Sequence, residues 1–146
     1  MAGKLRPERP VSDALPGWVS IRGLRCRARQ GTTPQERERE SDYLVDVSVH
    51  ADLRAAAESD DLTTAIDISA IAKTVREEMA RCPRALVERM AADVAGSVLA
   101  RFTEADEVRA RVEKQKPEGL DADAESVEIT LRREMHGGLA ARVPNP

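Results

Sequence analysis

The chain has 146 residues, a net charge of −3 and 34% charged residues. This length suits one domain, and the acidic balance without a basic, aromatic-interleaved stripe excludes a nucleic-acid partner. Because no apolar run approaches the roughly 18–20 residues of a membrane span, we also predict no membrane partner and a cytoplasmic protein.

Histidine, cysteine and aromatic residues are scarce. With only two histidines, the chain cannot form a three-histidine zinc site, and we predict no metal and no cofactor. The two cysteines, Cys26 and Cys82, lack metal-ligand spacing and are predicted to be buried free thiols. The aromatic residues are Trp18, Tyr43 and Phe102, so the core should be thin, and an oligomer would bury the remaining apolar surface.

The first third of the chain predicts an extension followed by a strand and a loop. Residues 1–17 contain three prolines and few apolar side chains, which predicts a flexible N-terminal extension. Alternation over Trp18–Arg29 predicts a strand with Trp18 and Leu24 on the same face and a bend at Gly23. Residues 30–42 are polar and predict a loop, in which the charges from Glu36 to Glu40 are most simply a solvated ladder.

The middle of the chain predicts a second strand and two helices. Tyr43–Ala51 alternates clearly, and Asp52 is predicted to cap a short helical turn that ends at Ala57. A helix over Ala70–Arg81 follows, with Asp67 or Ser69 as its cap. A second amphipathic helix over Ala85–Phe102 begins after Pro83.

Two further strands complete the pattern. Period-two alternation covers Glu107–Lys116 and Glu125–Arg133, and residues 134–146 are predicted to be a flexible tail after a domain at 18–133. The economical packing is an α+β fold, a four-stranded antiparallel sheet with two helices on one face. We expect the other face to carry apolar residues as well, and open edges of the sheet favour rings of copies.

Glu88 has two interpretations from its place in the first turn of the second helix. A solvated carboxylate suits the positive end of the helix dipole. Alternatively, the carboxylate and the free N–H groups of the helix start match a flat heterocycle that presents a carbonyl oxygen beside an amino–amide edge. The segment alone leaves both open.

Several segments, in this order and at this spacing, make residues 19–133 resemble the dihydroneopterin aldolase family. They are the loop from Gly31 to Glu36, Val45-Asp46-Val47, the run Ala55 to Leu62 with Ser59-Asp60-Asp61, Ala85 to Arg89, and Val108 through Pro117. The resemblance implies the tunnelling fold, in which four copies close a barrel and two such rings stack into a homo-octamer. It also implies a small-molecule pterin substrate and the aldehyde-lyase activity that cleaves 7,8-dihydroneopterin.

The resemblance also implies roles for individual residues. Glu88 falls on the pterin anchor, with backbone groups of Leu86 and Val87 beside the ring. Glu36 falls on a loop glutamate near the reacting side chain, expected to reach a neighbouring subunit's site. Lys114 falls on the lysine assigned as general acid and base, and Lys116, just before Pro117, is its rival on the same predicted face.

Two positions depart from the family pattern. Gln30 stands where the family usually has a histidine, and Ile68 replaces a tyrosine whose hydroxyl carries a proton at the substrate. Isoleucine transfers no proton, so two alternatives to the aldolase remain open: an epimerase acting on dihydroneopterin or its triphosphate, and a non-catalytic pterin-binding relative. A triphosphate would need cations near the site, and candidates are Arg22, Arg25, Arg27 and Arg29.

Overall fold

The computed structural model describes residues 13–133. The predicted tail at 134–146 and most of the predicted extension at 1–17 lie outside the described residues. The first strand begins at Pro16, slightly before the predicted start at Trp18.

Four strands form one antiparallel sheet in sequential order. They are β1 (Pro16–Ala28), β2 (Ser41–Asp52), β3 (Glu107–Gln115) and β4 (Ala124–Arg132), and each pairs with the next. The predicted sheet is therefore confirmed. The strand prediction was wrong at one end of β3, because Lys116 has a φ of +48° and has left the strand.

A bulge at Gly23 changes which side chains of β1 face the helices. The pairing with β2 shifts between Ile21 and Leu24, Gly23 has a φ of +69°, and its N–H donates to the Asp46 carboxylate at 2.7 Å. The extra residue reverses the alternation, so Ile21 and Leu24 both lie against the core. The predicted bend is confirmed, but the predicted grouping of Trp18 with Leu24 is wrong.

Along the chain, the helices lie between β2 and β3, except for one, which lies in the loop between β1 and β2. They are α1 (Pro34–Arg37), α2 (Arg54–Ser59), α3 (Ile68–Ala80) and α4 (Val87–Arg101), with a 3-10 turn at Leu62–Thr64. Asp67 caps α3 by accepting from the Ala70 N–H at 3.1 Å, which decides between the two predicted caps. The prediction that Asp52 caps α2 was wrong, because Leu53 is the cap residue, although Asp52 accepts from the Arg54 N–H.

The core lies between the sheet and helices α3 and α4. Helix α3 packs over β1, and α4 packs over β3 and β4. Most fully buried side chains are valine and alanine, with Tyr43, Ile71, Met79, Met90 and Leu99 as the largest. The expected thin core with few large anchors is confirmed, and both helices lie on one face as predicted.

The other face of the sheet is polar, contrary to the expectation of a second apolar face. Arg22, Asp46, Ser48, Arg109, Arg111 and Glu128 line a hollow there. Toward the start of β1, Trp18 is 39% exposed, with the Arg109 guanidinium 4.3 Å from its ring centre and the His50 ring at 4.9 Å. The bulge explains part of this, because it turns Leu24 and Cys26 away from this face.

The two cysteines match the prediction of buried free thiols only in part. Both cysteines are free thiols, but only Cys26 is fully buried, and burial raises its pKa to about 11. Within residues 13–133, no helix is long and apolar enough to cross a membrane.

Candidate active site

A cavity of about 470 Å³ lies at the end of the sheet where β1 and β3 end. Its walls come from the β1–β2 loop, the segment before α4 with the first residues of that helix, the end of β3, the β3–β4 loop and the start of β4. The residues lining it are Gln30, Gly31, Thr32, Glu36, Ala85, Leu86, Val87, Glu88, Lys114, Pro117, Glu118, Gly119, Leu120, Glu125, Ser126 and Val127.

Five of the six residues predicted as a site line this single cavity. Three belong to the predicted ring-binding set and two to the predicted proton-transfer set: Leu86, Val87 and Glu88, with Glu36 and Lys114. Ile68 is not among the lining residues. It is the first residue of α3 and is 48% exposed. A role for Ile68 at a pterin site therefore requires a second copy of the chain and stays a prediction.

The start of α4 presents uncapped backbone groups to the cavity. Leu86 is the cap residue, and its side chain makes no capping hydrogen bond because leucine has no polar atom to offer. Glu88 lies in the first turn with an exposed side chain, and Val87 is buried beneath it. The N-terminal end of α4 and the Glu88 carboxylate thus border the same cavity, as the ligand-binding interpretation requires.

Helix α1 fixes the position of Glu36. The Thr33 hydroxyl accepts from the Glu36 N–H at 3.2 Å, and the Thr33 N–H donates to Glu36 Oε1 at 3.2 Å, which is a capping box. The second of these bonds is the main reason why the pKa of Glu36 lies below its usual range, and the charge of Lys114 acts in the same direction. Glu36 is therefore an anion at neutral pH.

The position of Glu36 also explains why residue 31 is a glycine. A Cβ built on Gly31 would lie 2.1 Å from the Glu36 Cβ, so any larger residue would displace the glutamate. The structure places Glu36 in the same chain's cavity as Lys114 and Glu88, whereas the family resemblance suggested a neighbouring subunit's site. The prediction of a plain loop at 30–42 was wrong, although Thr33-Pro34-Gln35-Glu36 carries the capping-box pattern.

Lys114 is the better placed of the two candidate lysines. It is 7% exposed, lies on β3 opposite Tyr43 of β2 and Glu125 of β4, and its Nζ donates to the Gln30 carbonyl oxygen at 3.1 Å. Lys116 is exposed beyond the end of β3 and does not line the large cavity.

A smaller cavity of about 180 Å³ adjoins the first. Both cavities share Gln30, Glu36, Lys114 and Glu118, and the smaller one adds Arg39, Glu40, Ser41 and Lys116. Arg39 and Glu118, which both line it, form an ion pair at 3.3 Å. The two predicted proton-transfer residues therefore lie between a cavity that reaches Glu88 and a polar recess.

The sequence reasoning assigned no role to Gln30 or Glu125. Gln30 is 5% exposed although it lies in the predicted loop, and Glu125 places a second carboxylate beside Lys114. Antiparallel pairing of the last two predicted strands could have placed Glu125 opposite Lys114. Nothing local in the sequence marks Gln30 as buried.

A buried ionic cluster supports the segment before α4. The guanidinium of Arg84 donates to Asp93 at 2.9 Å and to Glu78 at 2.5 Å, and all three side chains are largely buried. The Arg84 backbone pairs with β1's extension, accepting from the Gly31 N–H at 3.0 Å and donating to the Arg29 carbonyl at 3.1 Å. Arg84 thus ties the loop that carries Glu36 to the segment that carries Glu88.

The other predicted or family-like features lie apart from the cavity. Ser59, Asp60 and Asp61 build a turn, in which Asp60 ends α2 with a φ of +54° and Asp61 caps the 3-10 turn. Within residues 13–133, no group of three or more histidine, cysteine or acidic side chains is arranged to hold a metal ion.

Comparison with known proteins agrees with this geometry. The FolB family model, described as dihydroneopterin aldolase, matches residues 19–132. The chain belongs to the dihydroneopterin aldolase family. The Escherichia coli K12 dihydroneopterin aldolase is 34% identical over 115 residues, covering 79% of this chain and 91% of that protein. The probable dihydroneopterin aldolase 3 of Arabidopsis thaliana is 27% identical over 113 residues, covering 77% of this chain and 71% of that protein.

A solved structure extends the similarity to three dimensions. The structure of E. coli dihydroneopterin aldolase in complex with neopterin matches with a TM-score of 0.73 at 31% identity, covering 79% of this chain and 98% of that one. The predicted family, its fold and its lyase class are thereby confirmed.

Proposed function

We propose that the protein cleaves the C1′–C2′ bond of 7,8-dihydroneopterin, giving 6-hydroxymethyl-7,8-dihydropterin and glycolaldehyde. One observation carries the proposal: a single cavity joins the uncapped start of α4 and Glu88 to Glu36 and Lys114. The neopterin bound in the E. coli relative supports a pterin as the ligand class. Family membership supports the reaction.

The start of α4 suits the pterin ring. The ring presents its 2-amino group and a ring N–H side by side, and the Glu88 carboxylate can accept from both at once. The N–H groups at the helix start can donate to the ring carbonyl oxygen. Leu86 and Val87 offer apolar contact to the flat ring.

The proton transfers are assigned to Lys114, with the Glu36 carboxylate as the charged group beside it. Protonation of ring N5 makes the ring an electron sink, so the cleavage proceeds with neither a metal nor a Schiff base. A base removes the 2′-hydroxyl proton, the C1′–C2′ electron pair moves into the ring, and glycolaldehyde leaves. Protonation of the resulting enol at C1′, with loss of the proton from N5, completes the product. Lys114, held beside the anionic Glu36, is the group we assign to these transfers.

The triphosphate alternative finds no support in the cavity. Arg22, Arg25, Arg27 and Arg29 are not among the described residues that line it. Arg27 is paired with Glu40 at 3.1 Å and Asp42 at 3.0 Å.

The test is incubation of the purified protein with 7,8-dihydroneopterin and chromatography of the products. We expect 6-hydroxymethyl-7,8-dihydropterin and glycolaldehyde in equal amounts. Lys114→Ala should lower the rate by roughly 10²–10⁴-fold, whereas Lys116→Ala is the matched control and should lower it far less. Bound but uncleaved pterin would instead favour the non-catalytic relative, and a C2′ epimer as the main product would favour the epimerase.

A further inference from the structure

Gln30 lies between the large and the small cavity. It lines both the large and the small cavity, yet only 5% of its surface is exposed. Its side chain and its backbone make hydrogen bonds to separate parts of the site.

The Gln30 side-chain amide connects β2 to the segment before α4. Because a carbonyl oxygen only accepts, the amide nitrogen Nε2 must face the Ala85 carbonyl, to which it donates at 2.8 Å. The amide oxygen then accepts from the Tyr43 hydroxyl at 3.0 Å. Burial raises the pKa of Tyr43 far above its usual range, so this hydroxyl stays a donor. Both ends of the amide are therefore fixed.

The Gln30 backbone holds the lysine. Its carbonyl oxygen accepts from Lys114 Nζ at 3.1 Å. The residues on either side of Gln30 pair with the Arg84 backbone at 3.0 and 3.1 Å, which fixes this carbonyl relative to Ala85. A lysine ammonium on its flexible stem gains a defined position from such a partner.

We propose that Gln30 is a positioning residue that holds the Lys114 ammonium at a fixed distance from the pterin-binding segment, residues 85–88. This inference rests on the proposed aldolase function. Proton transfer requires close alignment with the bound ring, and a displacement of about 1 Å can lower a rate by roughly 10²-fold. Gln30 acts through Ala85 and Lys114 and not on the substrate itself.

Two substitutions at Gln30 separate positioning from packing. Gln30→Met keeps a similar volume and removes both amide hydrogen bonds. Gln30→His supplies one N–H donor for Ala85 and one nitrogen acceptor for Tyr43, because a neutral imidazole carries one of each. Thr74→Val is the control. It removes a hydrogen bond from an equally buried side chain, Thr74 to the Ala70 carbonyl, in α3 away from the cavity.

The experiment measures the single-turnover cleavage rate with saturating 7,8-dihydroneopterin, the pterin dissociation constant, and thermal stability. Gln30→Met should cleave about tenfold or more slowly, with a smaller change in pterin affinity because Glu88 is untouched. Gln30→His should recover most of the rate. Thr74→Val should lose stability but keep the wild-type rate.

The proposal would be overturned if Gln30→Met cleaved the pterin at the wild-type rate. It would also be overturned if Gln30→His were as slow as Gln30→Met. If Gln30→Met does not fold, Tyr43→Phe decides, because it keeps the ring and removes the hydroxyl that orients the amide: a lowered rate supports the proposal, and an unchanged rate overturns it. A wild-type protein that neither binds nor cleaves the pterin refutes the aldolase function itself and the role of Gln30 with it.

Discussion

Glu88 is an exposed carboxylate in the first turn of α4, and the pterin-binding proposal depends on it. We expect Glu88→Ala to weaken pterin binding by roughly 2–5 kcal/mol, because the ring's amino and N–H donors lose a charged acceptor once they are desolvated. The fold should be unaffected. Calorimetric titration measures the change.

The control for this variant is Glu104→Ala, which removes an exposed carboxylate just beyond the same helix. It should bind pterin as the wild type does. Unchanged affinity in Glu88→Ala would restore the interpretation of Glu88 as a solvated first-turn acid.

The substitution Ile68→Tyr tests the role of the family tyrosine that this chain lacks. We expect the wild-type protein to cleave dihydroneopterin slowly and Ile68→Tyr to speed product formation, because a positioned hydroxyl assists protonation of the enol, and such assistance contributes roughly 10²–10⁴-fold. Leu62→Tyr is the control, since Leu62 is another exposed apolar side chain, on the preceding 3-10 turn. Single-turnover rates and product ratios, with and without oxygen, measure the effect. Fast and clean cleavage by the wild type would show that the isoleucine is no handicap.

At the scale of elements, the β1–β2 loop and α1 depend on one glycine. Gly31→Ala should displace Glu36 and break the capping box, because the new Cβ would meet the Glu36 Cβ at 2.1 Å. We expect the cleavage rate to fall while pterin binding through Glu88 persists. Gly96→Ala is the matched control. Its Cβ would meet nothing within 4 Å, and alanine in the middle of α4 should raise stability by about 1 kcal/mol.

The contact between α3 and α4 depends on the buried ionic cluster. Arg84→Ala would remove the most buried cation of the cluster, while Arg81 at 2.7 Å from Glu78 and Arg89 at 3.0 Å from Asp93 remain, so the free energy of unfolding should fall by about 1.5–3 kcal/mol. Arg101→Ala, which removes an exposed ion pair with Glu77 at 3.9 Å, should cost about 1 kcal/mol or less. Denaturant unfolding followed by circular dichroism compares the two, and equal losses would contradict a special role for the cluster.

The sequence predicted elements well wherever the pattern is local. Alternation in β2 and the helical spacing in α3 each involve neighbours along the chain, so they can be recognised without knowledge of the tertiary contacts. The prediction of which β1 side chains share a face was wrong, because a single extra residue at Gly23 reverses the alternation beyond it. Helix α1 was missed although its capping box is readable from four consecutive residues.

The site was predictable only in part for a related reason. Glu36, Glu88 and Lys114 were identified by resemblance, and the cavity brings them together. The role of Gln30 depends on Ala85 and Lys114, which lie 55 and 84 residues away along the chain. Such contacts arise from the pairing of whole elements, and no local sequence pattern predicts them.

At the scale of the molecule, we predict a homo-octamer of two stacked rings. Strands β1 and β4 form the edges of the sheet, so within residues 13–133 each pairs on one side only, and the core is built largely of valine and alanine. Sedimentation at micromolar concentration should show one species of about eight times the chain mass. A stable folded monomer would contradict the prediction. The cytoplasmic location likewise stays a prediction.

The chain has one tryptophan, and its position makes intrinsic fluorescence a selective probe. Trp18 lies near the start of the edge strand β1, beside Arg109 and His50 on the polar face, whereas the pterin cavity adjoins Gln30 beyond the other end of that strand. Emission from this protein therefore reports on the start of β1 and on the polar face of the sheet. An optical titration with a pterin monitors the ligand's own signal more directly than that of the distant indole.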